Sequence, residues 1–139
     1  MATFPVLTSV TYIGRQYLAR SLVGDVAFKI TAFSVDDMGG TISGPIPPDL
    51  TLITCPTGGG GLAYSGSVGT PSFTTTNCIS FPCQIPLAEI GSASNICLVG
   101  QVTSPTVEAG TTFLFALGNF AQRTKINTEV WDLTVTIKF

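Results

Sequence analysis

Histidine is absent from this chain and charge is scarce. Six Lys and Arg and eight Asp and Glu make up 10% of 139 residues, where an ordinary soluble domain carries about 25%. Without histidine, Ser-His-Asp and Cys-His nucleophilic arrangements are excluded, and acid–base chemistry near neutral pH loses its commonest agent. A surface so poor in charge does not keep small domains apart. The composition therefore fits either a neutral, hydroxyl-coated secreted module or a chain whose surface is covered by neighbours in an assembly. The basic residues Arg15, Arg20, Lys29, Arg123, Lys125 and Lys138 are scattered and the net charge is −2. Nucleic-acid binding, which needs clustered cations to neutralise several phosphates, is not expected.

A long apolar run is missing as well. Residues 50–88 carry no charge, but prolines, glycines, threonines and serines interrupt them, so no spanning helix fits there and no membrane partner is expected. The opening Met-Ala-Thr-Phe-Pro-Val-Leu lacks the basic start and continuous apolar core of a secretory signal. No repeat of fixed period is visible, and the length fits one domain with a real core, residues 1–139.

The cysteines present are Cys55, Cys78, Cys83 and Cys97. Their spacing contains no Cys-x2-Cys knuckle and there are no His partners, which argues against zinc. They read as buried free thiols, which behave as small hydrophobes, or as disulfides in one of three pairings.

Periodicity supplies the fold class. Residues 11–23 form one amphipathic helix, with Ile13, Tyr17, Leu18 and Leu22 along one side and Gly24 as its stop. Residues 86–90 form a shorter candidate with proline at the first helical position. Leu133, Val135, Ile137 and Phe139 alternate with polar residues, the period-two pattern of a half-buried strand. Residues 28–35 read as a strand whose apolar positions change parity near Ala32, predicting a bulge. The continuously apolar 112–117 reads as a central strand, with further strands over 96–102, 50–55 and 72–76. The expected class is mainly β, an antiparallel sandwich or Greek-key barrel with one short N-terminal helix. Residues 39–70 read as a Gly/Pro-rich loop region, with a stiff connector over 39–48 and a mobile tip at Gly58–Gly61. That tip is no phosphate loop, because neither Gly-Lys-Ser/Thr nor a helix follows it.

Candidate chemistry is sparse. Asp36, Asp37 or Asp49 could pair with Glu89, Glu108 or Glu129 as acid and base, or supply oxygen ligands to calcium between loops. Asp36-Asp37-Met-Gly-Gly has the composition of a turn, so solvated carboxylates are expected there, with no catalytic group, metal or cofactor. Tyr12, Tyr17, Tyr64 and Trp131 are the aromatic candidates for a subunit interface or a sugar-stacking platform, with core packing the alternative for Trp131.

Two stretches carry a resemblance. Val10-Thr-Tyr-Ile-Gly-Arg-Gln-Tyr-Leu-Ala-Arg-Ser-Leu, then Phe28-Lys-Ile-Thr-Ala-Phe-Ser-Val and Asp37-Met-Gly-Gly, together with Phe115-Ala-Leu-Gly-Asn-Phe, Lys125 and the closing alternating strand, resemble tailed-bacteriophage tail-fibre and collar proteins. The resemblance covers about half of the chain. It implies a non-enzymatic virion component of the tail, collar, fibre attachment or baseplate. Such a protein is made in the host cytoplasm and assembles with other virion proteins and with copies of itself as a homo-oligomer. A capsid decoration or cement protein and a carbohydrate-binding adhesive module are the competing expectations. Within the chain, the uncharged residues 50–88 are expected to hold much of the interface.

Overall fold

The computed structural model describes residues 2–37, 49–56 and 61–139. β1 (Ala2–Val10) leads into helix α1 (Tyr12–Leu22), followed by β2 (Ala27–Asp36), β3 (Tyr64–Ser67), β4 (Ser72–Thr75), β5 (Cys78–Ile85), β6 (Gly91–Ser104), β7 (Thr112–Lys125) and β8 (Trp131–Lys138). The fold is mainly β with one short helix. Its strands form one curled, mixed sheet in the order β3-β2-β6-β7-β1-β8-β5-β4. The departure from a purely antiparallel sandwich is β1, which runs parallel to β8 from Ala2 to Thr8 and then pairs antiparallel with β7 at Ser9 and Val10. A strand that changes partner in this way turns a corner of the sheet. Gly118 permits it, because a Cβ there would stand 2.8 Å from the carbonyl oxygen of Leu7.

A second crossing lies on the far side. The segment from β3 to β4 leaves β2 and reaches β5. On the way the Val68 amide donates to the Thr31 carbonyl (3.2 Å) and the Gly69 amide to the Pro82 carbonyl (2.7 Å). Pro82 thus turns its backbone polar side away from β8, and its missing N–H costs no bond in that ladder.

The enclosed core joins Phe33, Val35, Ile96 and Leu98 of one half to Phe81, Ile85, Leu133 and Val135 of the other. β8 alternates inward and outward as expected, and the bulge in β2 falls between Ile30 and Ala32. β7 is central and buried on both faces from Phe113 to Phe120. A smaller core of Cys97, Leu114 and Leu117 lies under Leu52 and Cys55.

Several expectations are corrected. Residues 50–55 are a turn, because the Asp49 carboxylate accepts both the amide (3.0 Å) and the hydroxyl (2.6 Å) of Thr51 and folds the chain back. Residues 86–90 make a single turn, Glu89 amide to Pro86 carbonyl, with no helix. Helix α1 does pack Ile13, Tyr17 and Leu18 on the core, capped by Thr11, whose side chain accepts from the Gly14 amide (3.0 Å). Leu22, in its last turn, lies beyond the sheet and is exposed. The 39–48 connector, and all of the proposed tip except Gly61, lie outside the described residues.

Candidate interaction surfaces

The four aromatic candidates do not meet. Trp131 is 2% exposed, packs edge-on against Phe4 (5.3 Å between rings) and donates from its indole N–H to Glu129 (3.1 Å). Its own core occupies it fully, so the interface expectation fails for this residue and the core alternative holds. Tyr17 stacks on Phe113 (3.9 Å) at the opposite end of the sheet, and Tyr64 packs against Phe33 (5.9 Å). Tyr12 alone of the four is exposed. No common sugar platform results.

The expectation of a solvated carboxylate pair is also corrected. Asp36 and Asp37 are buried at the end of β2. Asp36 accepts the Asp37 amide (2.7 Å), and Asp37 accepts the hydroxyl of Ser94 (3.3 Å) and the side-chain amide of Gln122 (2.8 Å). These carboxylates are building elements of the sheet end, satisfied by short polar neighbours. The Thr51 hydroxyl and then its amide lower the Asp49 carboxyl below the ordinary carboxylate range. Glu108 takes Arg20, and Glu129 takes Trp131. Among the described residues no three His, Cys, Asp or Glu side chains come together to hold a metal ion, and no helix is long and apolar enough to cross a membrane.

Cys55 and Cys97 form a disulfide across a Cα separation of 6.0 Å, pinning the 49–56 turn against β6. Cys78 and Cys83 are free thiols. Burial pushes the Cys83 thiol up to about 12, so it stays protonated and inert.

The uncharged residues 50–88 contribute both outermost strands of the sheet, β3 and β4. On its second side β4 pairs with no strand among the described residues, and neither does the opening half of β2. Between these two edges lies a cleft of about 380 Å³, lined by Lys29, Ile30, Pro71, Phe73, Ile79 and Phe81. All of β4 is exposed, Phe73 at 73%. Exposed strand edges are usually blunted by short length, bulges, Lys, Pro or inward charges; β4, sequence SFTT, is short and irregular between Phe73 and Thr75 but carries no charge.

Compared with known proteins, the chain matches no family model, no curated protein and no solved structure.

The strand directions sort the scattered charges into two ends, which sequence order conceals. Arg15, Arg20, Lys29 and Lys138 lie toward the end where β6 hands over to β7, with Asp25, Glu108 and, beside Tyr12, Asp49, giving a net side-chain charge of +1. Asp36, Asp37, Glu89, Glu129 and Asp132 lie toward the other end with Arg123 and Lys125, net −3. Both ends carry apolar residues held in place by one cation. At the positive end Arg20 bonds Asp25 and both carboxylate oxygens of Glu108 (2.8 and 3.0 Å), joining the helix terminus to the 105–110 turn. Asp25 and then Glu108 raise the pKa of that guanidinium further. At the negative end the buried Lys125 donates to the carbonyls of Leu87 (3.2 Å), Glu89 (2.6 Å) and Ile126 (3.3 Å). This fastens two loops whose Leu87, Ile90 and Ile126 are exposed.

Proposed function

We propose that this chain is a non-enzymatic structural component of a tailed-bacteriophage particle, acting in the tail, collar, fibre attachment or baseplate by assembly with copies of itself and with neighbouring virion proteins. The observation that carries the reading is the placement of the uncharged segment. Residues 50–88 supply β4, a short, uncharged strand edge with an exposed phenylalanine beside an apolar cleft. A free monomer would be expected to protect such an edge, and an assembled subunit covers it. The carboxylates support the same reading, because those named as candidate acids and bases are engaged in structural hydrogen bonds or dispersed over the molecule. The choice of a phage particle rests on the resemblance of the helix–strand opening and the closing strand. A virion is built in a reducing cytoplasm and works outside it, so Cys55 and Cys97 would be reduced at synthesis and bonded after release.

The test is incorporation into particles. A Phe73→Lys variant places a charge on the exposed edge without touching the core. Its unfolding midpoint should equal that of the parent, while its amount in purified particles should fall at least tenfold. Undiminished incorporation would remove the edge from the account, and absence of the parent chain from particles would remove the role itself.

A further inference from the structure

Residues 49–56 lie over the sheet as a strap, and none of them is buried. Little besides one covalent bond ties them down. The Leu50 carbonyl accepts the Tyr12 amide (2.9 Å), and the half-buried Leu52 packs on the small core of Cys97, Leu114 and Leu117. The side-chain amide of Asn95 donates to the Pro56 carbonyl (3.4 Å) and to Cys55 Sγ (3.9 Å). The remaining tie is the disulfide from Cys55 to Cys97. Seating the strap also carries a cost. The Asn95 carbonyl oxygen is fully buried and accepts no hydrogen bond among the described residues, and a buried acceptor left unpaired is destabilising. Ordering the strap costs backbone entropy in addition. Against these stand one half-buried leucine and a few hydrogen bonds, so without the bond to Cys97 the balance favours opening, which lets water reach the Asn95 oxygen.

We propose that the disulfide between Cys55 and Cys97 is a redox latch. Oxidised, it keeps residues 49–56 seated over Leu114 and Leu117. Reduced, it lets them lift and bares that apolar pair together with Cys97. The sheet stays folded through the change, because the main core of Phe33, Val35, Ile96, Leu98, Phe81 and Val135 is separate from the small one under the strap. Cys55 is half-buried and Cys97 fully buried, so a thiolate such as that of glutathione attacks the Cys55 sulfur. The S–S bond breaks, Cys97 leaves as a thiolate and takes a proton, and a second glutathione thiolate releases Cys55 by forming glutathione disulfide. The chain gains two electrons and two protons, and two glutathione thiols become one disulfide. Glutathione disulfide drives the reverse in an oxidising medium. The latch is a property of the single chain and holds with or without a particle around it.

Thiol labelling of the folded chain with iodoacetamide, read by peptide mass spectrometry, tests it. Equilibrated with glutathione disulfide, the chain should contain Cys55 joined to Cys97, with Cys83 unlabelled. After treatment with dithiothreitol, removed before labelling, Cys55 and Cys97 should label at least tenfold faster than Cys83, with the circular dichroism unchanged. Re-exposure to glutathione disulfide should restore protection. Cys55→Ser removes the bond without reductant, and its Cys97 should label as fast as that of the reduced parent. A reduced Cys97 that stays as protected as Cys83 would overturn the proposal, because the strap then stays seated unaided. Labelling of Cys83 at the rate of Cys97 would overturn it too, since the bond would then staple the whole fold. Failure of Cys55 and Cys97 to join under glutathione disulfide would remove the latch altogether.

Discussion

Gly14 shows how one hydrogen atom positions an element. It lies in the first turn of α1, where a Cβ would collide with the carbonyl oxygen of Phe115 and stand 3.0 Å from Val10. Replacing a helical glycine by alanine ordinarily gains about 1 kcal/mol, whereas overpacking costs about 1–3 kcal/mol. Because the obstacle is backbone, it cannot rotate away, and the cost should exceed the gain. Gly14→Ala is expected to lower stability by about 1–2 kcal/mol in urea unfolding, and a stabilised variant would refute the close approach. Cys83 offers a second test. With its thiol raised from 9.0 to about 12, the folded state keeps a proton that the unfolded chain loses above pH 9. The thiol contributes nothing to the pH dependence below pH 9. Between pH 9 and 12 its stability contribution should fall by about 1.4 kcal/mol per pH unit. The difference between the parent and Cys83→Ala, measured by denaturation at pH 8, 9.5 and 11, isolates that slope from other titrating groups. Under native conditions a thiol reagent should modify the half-buried Cys78 and leave Cys83 unreacted until the protein unfolds.

At the scale of elements, the 49–56 turn depends on the bond between Cys55 and Cys97, 42 residues apart. Reduction should lower stability by about 2–4 kcal/mol, read from urea midpoints with and without reductant. A Cys55→Ser variant should show the reduced value in both conditions. Which elements could be read from the amino-acid order follows from their surroundings. β8 was legible because one face is core and the other is not, and β7 because it is covered on both sides. β1 has the same alternation, with Phe4, Val6, Thr8 and Val10 buried, but Pro5 and the exposed Leu7 mask it. β5 was hidden by Pro82, which suits a strand only because its polar side faces Gly69. Residues 50–55 misled in the opposite direction. They are rich in strand formers, and a side-chain bond from Asp49 decides their course.

At the scale of the whole molecule, the scarcity of charge was legible but its arrangement was not. The fourteen charges look scattered because their order along the chain bears no relation to the ends of the sheet. Pairing of distant strands brings Arg20 to Glu108 and sets Lys125 beneath residues 87–89. The same pairing places the uncharged β3 and β4 outermost, which composition suggested as an interface without saying why. Trp131 shows the reverse, a residue type common at interfaces that its own core consumes. The central claim is that this surface exists to be covered by protein. Its most direct test is quantitative mass spectrometry of purified particles against a labelled standard of this chain. A fixed number of copies per particle is expected, from a few to a few dozen for a tail component. Complete absence from particles, with the chain recovered only as a free monomer, would contradict it.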